Sequence, residues 1–190
     1  MFNTPAEAFD AVNPFIGSGG VGYNYAALTP AAQLPLGLVR LGPDTTDAGF
    51  HPSQLHHFSG YYFDDPHIRG FSHTHFIGTG VADFGNIRVL PMKSNELEES
   101  EPGQWYANHD RTREDAEPGF YTTHLPDAGV SVELTSGRFT GFHRYTFEEA
   151  DDNVLTIDLT SSVVDRGVQN AELSLNGEML EGWVSYRGPY

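Results

Sequence analysis

Histidines concentrate in one short stretch of the chain. Six of the nine fall within 25 residues: His51, His56, His57, His67, His73 and His75. On a β-strand, His73 and His75 would point to the same face, where two imidazoles can share a metal ion. A cupin-like site also needs a third ligand, and no carboxylate follows before Asp83. We therefore predict no metal ligand in this chain, and a His-rich cupin-like metalloprotein remains one alternative.

Carboxylates lie beside aromatic residues in the same part of the sequence. Asp44 follows Gly42-Pro43, and the pair Asp64-Asp65 follows Tyr61-Tyr62-Phe63. Aromatic rings stack on sugar C–H faces, while carboxylates and imidazoles bond the hydroxyls. A glycosidase needs two carboxyl groups about 5 Å or about 6.5–9.5 Å apart, a separation that sequence does not fix. A free-standing carbohydrate-binding module is therefore a second alternative.

The segment Gly17-Ser18-Gly19-Gly20-Val21-Gly22 has the letters of a dinucleotide-binding fingerprint. That fingerprint functions at the start of a helix within a βαβ unit, and no helical periodicity follows here. The glycines instead indicate a turn that needs positive φ or close backbone approach.

Composition excludes several classes of function. Asp and Glu number 26 against 10 Lys and Arg, for a net charge of -16, so a nucleic-acid partner is not expected. No cysteine is present, which excludes disulfides and thiolate chemistry. The N-terminus lacks the basic and apolar regions of a signal peptide, and no apolar run approaches a membrane span. We expect no membrane partner, and the cellular location stays unassigned.

The apolar residues recur mostly with period two, which predicts an all-β, antiparallel sandwich. Val130, Val132 and Leu134 alternate with polar residues, and Leu155, Ile157 and Leu159 do the same. Asn176-Gly177 favours a hairpin turn with positive φ at both central residues. We predict a helical turn at 5–12 and a loop within 93–117. Strands are predicted at 36–41, 58–63, 68–76, 86–91, 119–125, 130–135, 138–147, 155–159, 171–175 and 179–186.

A series of short motifs, taken in order along the chain, points to a known family. The early motifs are Asn13-Pro14-Phe15-Ile16-Gly17, Pro35-Leu36-Gly37, Gly42-Pro43-Asp44, Ser59-Gly60-Tyr61, Gly70-Phe71-Ser72-His73-Thr74-His75 and Gly78-Thr79-Gly80. The later ones are Asn108-His109-Asp110, Pro118-Gly119-Phe120-Tyr121 and Gly141-Phe142-His143-Arg144-Tyr145. In this order the motifs resemble the N-terminal domain of glycoside hydrolase family 92, the α-mannosidases. The resemblance runs from about Val12 to Trp183. A departure occurs at Leu55-His56-His57-Phe58, where relatives carry a tryptophan.

The resemblance implies an N-terminal β-sandwich that packs on a C-terminal (α/α)₆ barrel of the same polypeptide. It implies an inverting, calcium-dependent exo-α-mannosidase acting on α-mannosides or N-glycan-type glycans, and relatives are commonly periplasmic or secreted. The catalytic carboxylates and the Ca²⁺ ligands of the family belong to the barrel. We therefore expect residues 1–190 to form the sandwich domain without its last strands, with no catalytic residue, an unpaired edge near 182–186 and no activity alone.

The sandwich is expected to contribute one wall of the mannose-binding cleft. The glycine-rich turn and the segment that follows the paired histidines are the best candidates for it. Candidates for substrate binding or for the domain interface are Gly19, Gly20, Asp44, His73, His75, Gly78, Thr79, Gly80 and Asp83.

Overall fold

The computed structural model describes residues 4–20, 27–46, 58–78, 83–101, 103–163 and 167–187. Within them the chain is mostly β-structure. The helical elements are α1 Pro5–Asp10, α2 Ser94–Glu99 and a 3₁₀ turn at Arg111–Arg113. The strands are β1 Gly42–Thr46, β2 His67–Ser72, β3 Arg88–Lys93, β4 Ala107–Asn108, β5 Asp115–Glu117, β6 Phe120–Leu125, β7 Val130–Ser136, β8 Gly141–Phe147, β9 Asn153–Asp158, β10 Val168–Asn176 and β11 Met179–Tyr186. None of the helices described is long and apolar enough to cross a membrane.

Two antiparallel sheets enclose the core. The first has the order β1-β2-β3-β9 with β4 beside β2, and the second has the order β5-β6-β7-β8. Phe71 and Leu90 of the first sheet share one buried cluster with Tyr121, Val132 and Leu134 of the second. Each such side chain contributes roughly 1.5–3 kcal/mol when it leaves water. The predicted all-β sandwich is confirmed.

Alternation along β7 follows the prediction. Val130, Val132 and Leu134 are fully buried, while Ser131 and Glu133 lie on the outer face. Strand β9 exists as predicted, but its buried face is the opposite one. Thr156 and Asp158 are buried and Leu155 is 51% exposed.

Hydrogen bonds account for the reversed face of β9. The Thr156 hydroxyl donates to the Leu90 carbonyl at 3.0 Å. The Asp158 carboxylate accepts from the Thr160 amide at 2.8 Å and from its hydroxyl at 2.6 Å. Buried polar groups that are bonded in this way are tolerated inside a fold, so polarity alone does not identify the outer face.

Two predicted strands are absent. Residues 36–41 form a turn and an irregular segment, because Leu36 adopts φ +59° and Gly37 donates to the Leu34 carbonyl at 2.9 Å. Residues 58–63 form a turn in which Gly60 adopts φ +86°. Strand β1 was not predicted, because Gly-Pro-Asp is typical of turns. Pro43 is tolerated there since β1 lies at the sheet edge.

The predicted loop at 93–117 is wrong in part, because it contains α2, β4, the 3₁₀ turn and β5. The Lys93 amide donates to the Glu96 carboxylate at 2.9 Å, which anchors the first turn of α2. At the N-terminus, the predicted helical turn is confirmed over a shorter range as α1. Thr4 and Glu7 cap it with reciprocal bonds of 3.2 Å.

Strands β10 and β11 form a two-stranded hairpin of mostly exposed residues. Its two-residue loop is Gly177-Glu178, and Gly177 alone has positive φ, at +65°. The prediction of positive φ at both central positions of an Asn-Gly turn is therefore wrong. In the described part of the chain β11 pairs with β10 alone. The proposed loss of further strands stays a prediction.

Candidate functional site

Backbone hydrogen bonds bring the glycine-rich turn and the histidine segment to one region of the fold. Phe63 donates to the Ser18 carbonyl at 2.9 Å, and Leu28 donates to the Gly17 carbonyl at 3.3 Å. The carbonyl of Ala27, the residue before Leu28, accepts a hydrogen bond from the Gly78 amide at 2.7 Å. Segments that are far apart in sequence therefore meet around residues 27–28.

The described part of the glycine-rich turn rests against an aromatic pair. A Cβ atom added to Gly19 would lie 2.8 Å from Phe63 Cβ, so the turn requires glycine there. The Tyr62 hydroxyl donates to the Gly20 carbonyl at 3.0 Å. Gly20 adopts φ +109° and Gly78 φ +75°, and no atom of the described residues lies within 4 Å of a Cβ atom built at either position. Both glycines thus present bare backbone at an exposed rim.

Asp44 lies in a buried polar cluster beneath this region. Its Oδ2 is 3.2 Å from Arg88 Nε and its Oδ1 is 3.4 Å from His75 Nε2. All three side chains are almost completely inaccessible to solvent. Gly60 and Gly85 leave the room that the carboxylate occupies, since a Cβ atom at Gly85 would lie 3.1 Å from Asp44 Oδ1.

Electrostatics keep Asp44 ionised. Burial acts to raise the pKa of this carboxyl, but the Arg88 guanidinium and His75 outweigh it and hold the pKa at about 2. Neither carboxylate oxygen has a well-aligned hydrogen bond within the described structure, so the attraction is mainly between charges. The cluster is a buried ion pair that fixes surrounding loops, and it has no surface open to a sugar.

Partners on both sides fix the orientation of His75. Its Nδ1 lies 2.8 Å from the Arg40 carbonyl, which assigns that nitrogen as the N–H donor. The Ser72 hydroxyl lies 3.3 Å from Nε2, and Arg40 donates to the His75 carbonyl at 3.0 Å. His75 and Asp44 can therefore influence a ligand only through the loops that they position.

His73 lies in a different environment from His75. Strand β2 ends at Ser72, so the two histidines do not share the same-face geometry that a strand would impose. His73 Nε2 is 3.3 Å from Nε2 of His143 on β8, whose Nδ1 is 2.7 Å from the Tyr145 hydroxyl. Burial, with a smaller effect of His73, lowers the pKa of His143 to about 4, and burial also lowers that of His73. This pair joins the two sheets.

Asp83 lies at the base of the β10-β11 hairpin. Its Oδ1 accepts from the Phe84 amide at 2.9 Å. Burial, together with the nearby Asp83 carboxylate, raises the pKa of Tyr186 on β11. Thr79 and Gly80 lie outside the described residues, and their role stays a prediction.

Arg88, Gly60 and Gly85 belong to the site but were not among the predicted residues. The available signal was a single arginine at the start of an otherwise apolar strand, Arg88-Val89-Leu90. An arginine that is buried in such a strand needs an acidic side chain beside it to balance its charge. The two glycines carry no such signal, because their role depends on the position of Asp44.

The N-terminal-domain model of glycosyl hydrolase family 92 matches residues 11–190 of the chain. The chain belongs to this family. A secreted glycosidase of unassigned activity from Arthroderma benhamiae is 24% identical to this family-92 domain over 184 residues. That match covers 89% of this chain and 22% of the relative.

Solved family-92 structures share the fold. A GH92 α-mannosidase from Bacteroides thetaiotaomicron, in complex with mannoimidazole, superposes with a TM-score of 0.78 at 31% identity, over 93% of this chain and 23% of that one. An inverting GH92 mannosidase from the same organism superposes with a TM-score of 0.72 at 19% identity, over 95% and 22%, which shows the fold alone. This family-92 domain therefore spans less than a quarter of the length of its relatives.

Proposed function

We propose that the chain is the N-terminal domain of an inverting, calcium-dependent exo-α-mannosidase. In this proposal it packs on a catalytic barrel of the same polypeptide and forms one wall of the mannose-binding cleft. The substrate is an α-mannoside or an N-glycan-type glycan. The proposal is supported by family membership and by the relatives described as α-mannosidases, one of which binds mannoimidazole.

The observation that carries the proposal is that residues 17–20 and Gly78 meet around residues 27–28, where Leu28 donates to the Gly17 carbonyl and Gly78 to the Ala27 carbonyl. Gly20 and Gly78 offer bare backbone at an exposed rim, and Asp83 is only half-buried near it. Beneath them, the Asp44–Arg88 pair supports the loops. Backbone N–H and C=O groups at such a rim can hydrogen-bond sugar hydroxyls, and rigid support keeps them in place.

The proposed calcium ion is assigned to the barrel. Ca²⁺ takes six to eight oxygen ligands, commonly carboxylates and carbonyls. Among the residues that the structure describes, no three His, Asp or Glu side chains are placed to hold a metal ion. The proposal therefore assigns the calcium ligands to the barrel, together with the carboxylates that cleave the bond.

Hydrolysis of an aryl α-mannoside tests this proposal. The 190-residue chain alone is expected to release no aryl alcohol, because the carboxylate pair of the reaction is assigned to the barrel. Turnover by the isolated chain, retained after a second purification step and lost in a heat-denatured sample, would overturn the assignment of catalysis to the barrel.

One observation favours a second candidate, a carbohydrate-binding module. A groove of about 490 Å³ is lined by Phe15, Phe63, Asp64, Arg111 and Glu114. Aromatic side chains beside carboxylates suit sugar binding, although Arg111 already lies 4.7 Å from the Phe63 ring centroid. Calorimetry with mannobiose distinguishes the two: saturable binding that Phe63→Ala abolishes supports the module, and its absence favours the domain.

A further inference from the structure

The motif Pro35-Leu36-Gly37 forms a turn that holds a leucine in an unfavourable conformation. The Gly37 amide donates to the Leu34 carbonyl at 2.9 Å, which places Pro35 and Leu36 at the two central positions of the turn. Proline followed by a residue with positive φ is the pattern of a type II turn, where glycine or asparagine is usual at the second central position. Leu36 occupies that position with φ +59° and is 91% exposed. The folded chain therefore bears both backbone strain and an apolar side chain in water.

Hydrogen bonds on both sides fix this turn. The Gln33 side-chain amide donates to the Gly37 carbonyl at 3.3 Å, and the Arg40 guanidinium donates to the Gln33 side chain at 2.9 Å. The same guanidinium donates to the His75 carbonyl at 3.0 Å, which joins the turn to the segment that leads to Gly78. Strained residues persist where their surroundings fix them, and they cluster at functional sites. The turn therefore presents its leucine in a fixed position beside the candidate cleft wall.

Leu36 belongs to a wider apolar surface. The Leu38 amide donates to the Arg138 carbonyl at 2.8 Å, which brings the turn beside the connection between β7 and β8. Leu38 is 71% exposed and Phe139 is 69% exposed. Single exposed apolar residues are common, whereas a group of them marks an interaction surface. Together Leu36, Leu38, Arg138 and Phe139 form what we call the Leu36 patch.

Arg138 gives the Leu36 patch a charge opposite to that of the whole molecule. Its guanidinium carbon lies 5.5 Å from the Phe139 ring centroid, and among the described residues it takes part in no ion pair. The chain has a net charge of -16, so two copies repel each other. A surface that combines an apolar pocket with Asp or Glu at its rim complements both the leucines and the arginine.

We propose that the Leu36 patch docks this domain on the catalytic barrel, with Leu36 in an apolar pocket that has an acidic rim. The inference rests on the proposed function, which supplies a barrel of the same polypeptide. The chain covers only 23% of a superposed family-92 α-mannosidase, so most of that relative lies outside the matched region. Because Arg40 joins the turn to the His75 segment, docking here sets the barrel against the candidate cleft wall. Burial of Leu36 in the complex offsets the strain of its turn.

The test is calorimetric titration of the 190-residue chain with the catalytic region of a family-92 α-mannosidase that lacks its own N-terminal domain. Leu36→Ala removes the apolar side chain and keeps a residue other than glycine at positive φ. We expect it to weaken the complex about 10- to 100-fold, as the loss of an interface anchor does. Leu175→Ala is the matched control, because Leu175 is 71% exposed on the β10-β11 hairpin, and its affinity is expected to equal that of the original chain.

Leu36→Gly separates docking from folding. It relieves the strain and removes the side chain, so we expect it to weaken the complex while it raises the free energy of unfolding of the isolated chain. A purely structural role for Leu36 does not move the two quantities in opposite directions. Arg138→Gln is expected to weaken the complex about three- to tenfold, and this loss should shrink as the salt concentration is raised.

Three results would overturn the inference, and each has a different meaning. Equal affinities of the original chain, Leu36→Ala and Leu175→Ala would remove the docking role and leave the proposed function intact. Failure of the original chain to bind the catalytic region would contradict the proposed packing of the two domains as well. A dimer of the 190-residue chain in light scattering that Leu36→Ala dissociates would assign the Leu36 patch to a second copy instead of the barrel.

Discussion

Asp44 is a candidate from sequence for substrate binding or the domain interface, and the fold buries its side chain. Its position after Gly42-Pro43 and near histidines and aromatics indicated a polar site. The fold buries it beside Arg88, 44 residues away in sequence. That pairing depends on β1, β2 and β3 coming together, which no local pattern specifies. The sugar-contact or interface role of the predicted residues stays a prediction.

Asp44→Ala should destabilise the fold strongly. It leaves the Arg88 guanidinium buried without its countercharge, and breaking a buried pair in this way costs about 3–5 kcal/mol. Glu133→Ala is the matched control, because it removes the exposed Glu133–Arg144 pair, whose attraction solvent screens. The free energy of unfolding in urea checks both. Equal, small losses would show that the Asp44–Arg88 pair adds no stability.

The His73–His143 contact predicts a pH dependence. His143 titrates at about 4 in the folded chain, below its ordinary value near 6.5, so between these values the unfolded chain binds more protons. Stability should therefore fall as pH is lowered from about 6.5 towards 4. His73 and Tyr145 are the groups that face His143. Urea unfolding from pH 7 to 4.5 stays above the range in which Asp44 titrates.

His143→Gln should reduce this slope, because it removes the group that takes up the proton. Tyr145→Phe keeps the imidazole and should retain the slope while lowering stability throughout, since it deletes the 2.7 Å bond. If His143→Gln unfolds with the same pH dependence as the original chain, the histidine pair does not cause it.

At the scale of elements, the alternation of apolar and polar residues predicted those strands whose buried face follows from the local sequence. Strands β6, β7 and β8 follow their patterns, and β10 and β11 occur where they were predicted although most of their residues are exposed. Three features escaped prediction for physical reasons: β1 contains a proline that only an edge tolerates, β9 buries bonded Thr156 and Asp158, and Leu36 adopts a left-handed conformation. Each depends on tertiary surroundings and not on local propensity.

Leu36 offers a test at this scale. It is 91% exposed with φ +59°, a conformation that costs a non-glycine residue about 1–2 kcal/mol. Leu36→Gly should raise the free energy of unfolding by up to about 1 kcal/mol, after the entropy of glycine is subtracted. Leu38→Gly, at another exposed leucine without positive φ, should lower it by about 0.5–1 kcal/mol. Equal losses in the free energy of unfolding for Leu36→Gly and Leu38→Gly would contradict a strained turn at Leu36.

At the scale of the molecule, the resemblance in the sequence and the family match agree on an N-terminal family-92 sandwich. The fold class was predictable because short alternating runs with frequent turns allow few other architectures. The wall that this domain offers to a second domain was less predictable, because residues 17–20, 27–28 and 73–78 meet only through long-range contacts.

The most direct test of the central claim combines this chain with the catalytic region of a family-92 α-mannosidase that lacks its own N-terminal domain. Hydrolysis of an aryl α-mannoside is measured for each part and for the mixture, together with the mass of any complex by light scattering. We predict a one-to-one complex whose activity exceeds the sum of the two parts. Hydrolysis by the 190-residue chain alone, or a catalytic region that neither binds the chain nor gains activity from it, would contradict the account.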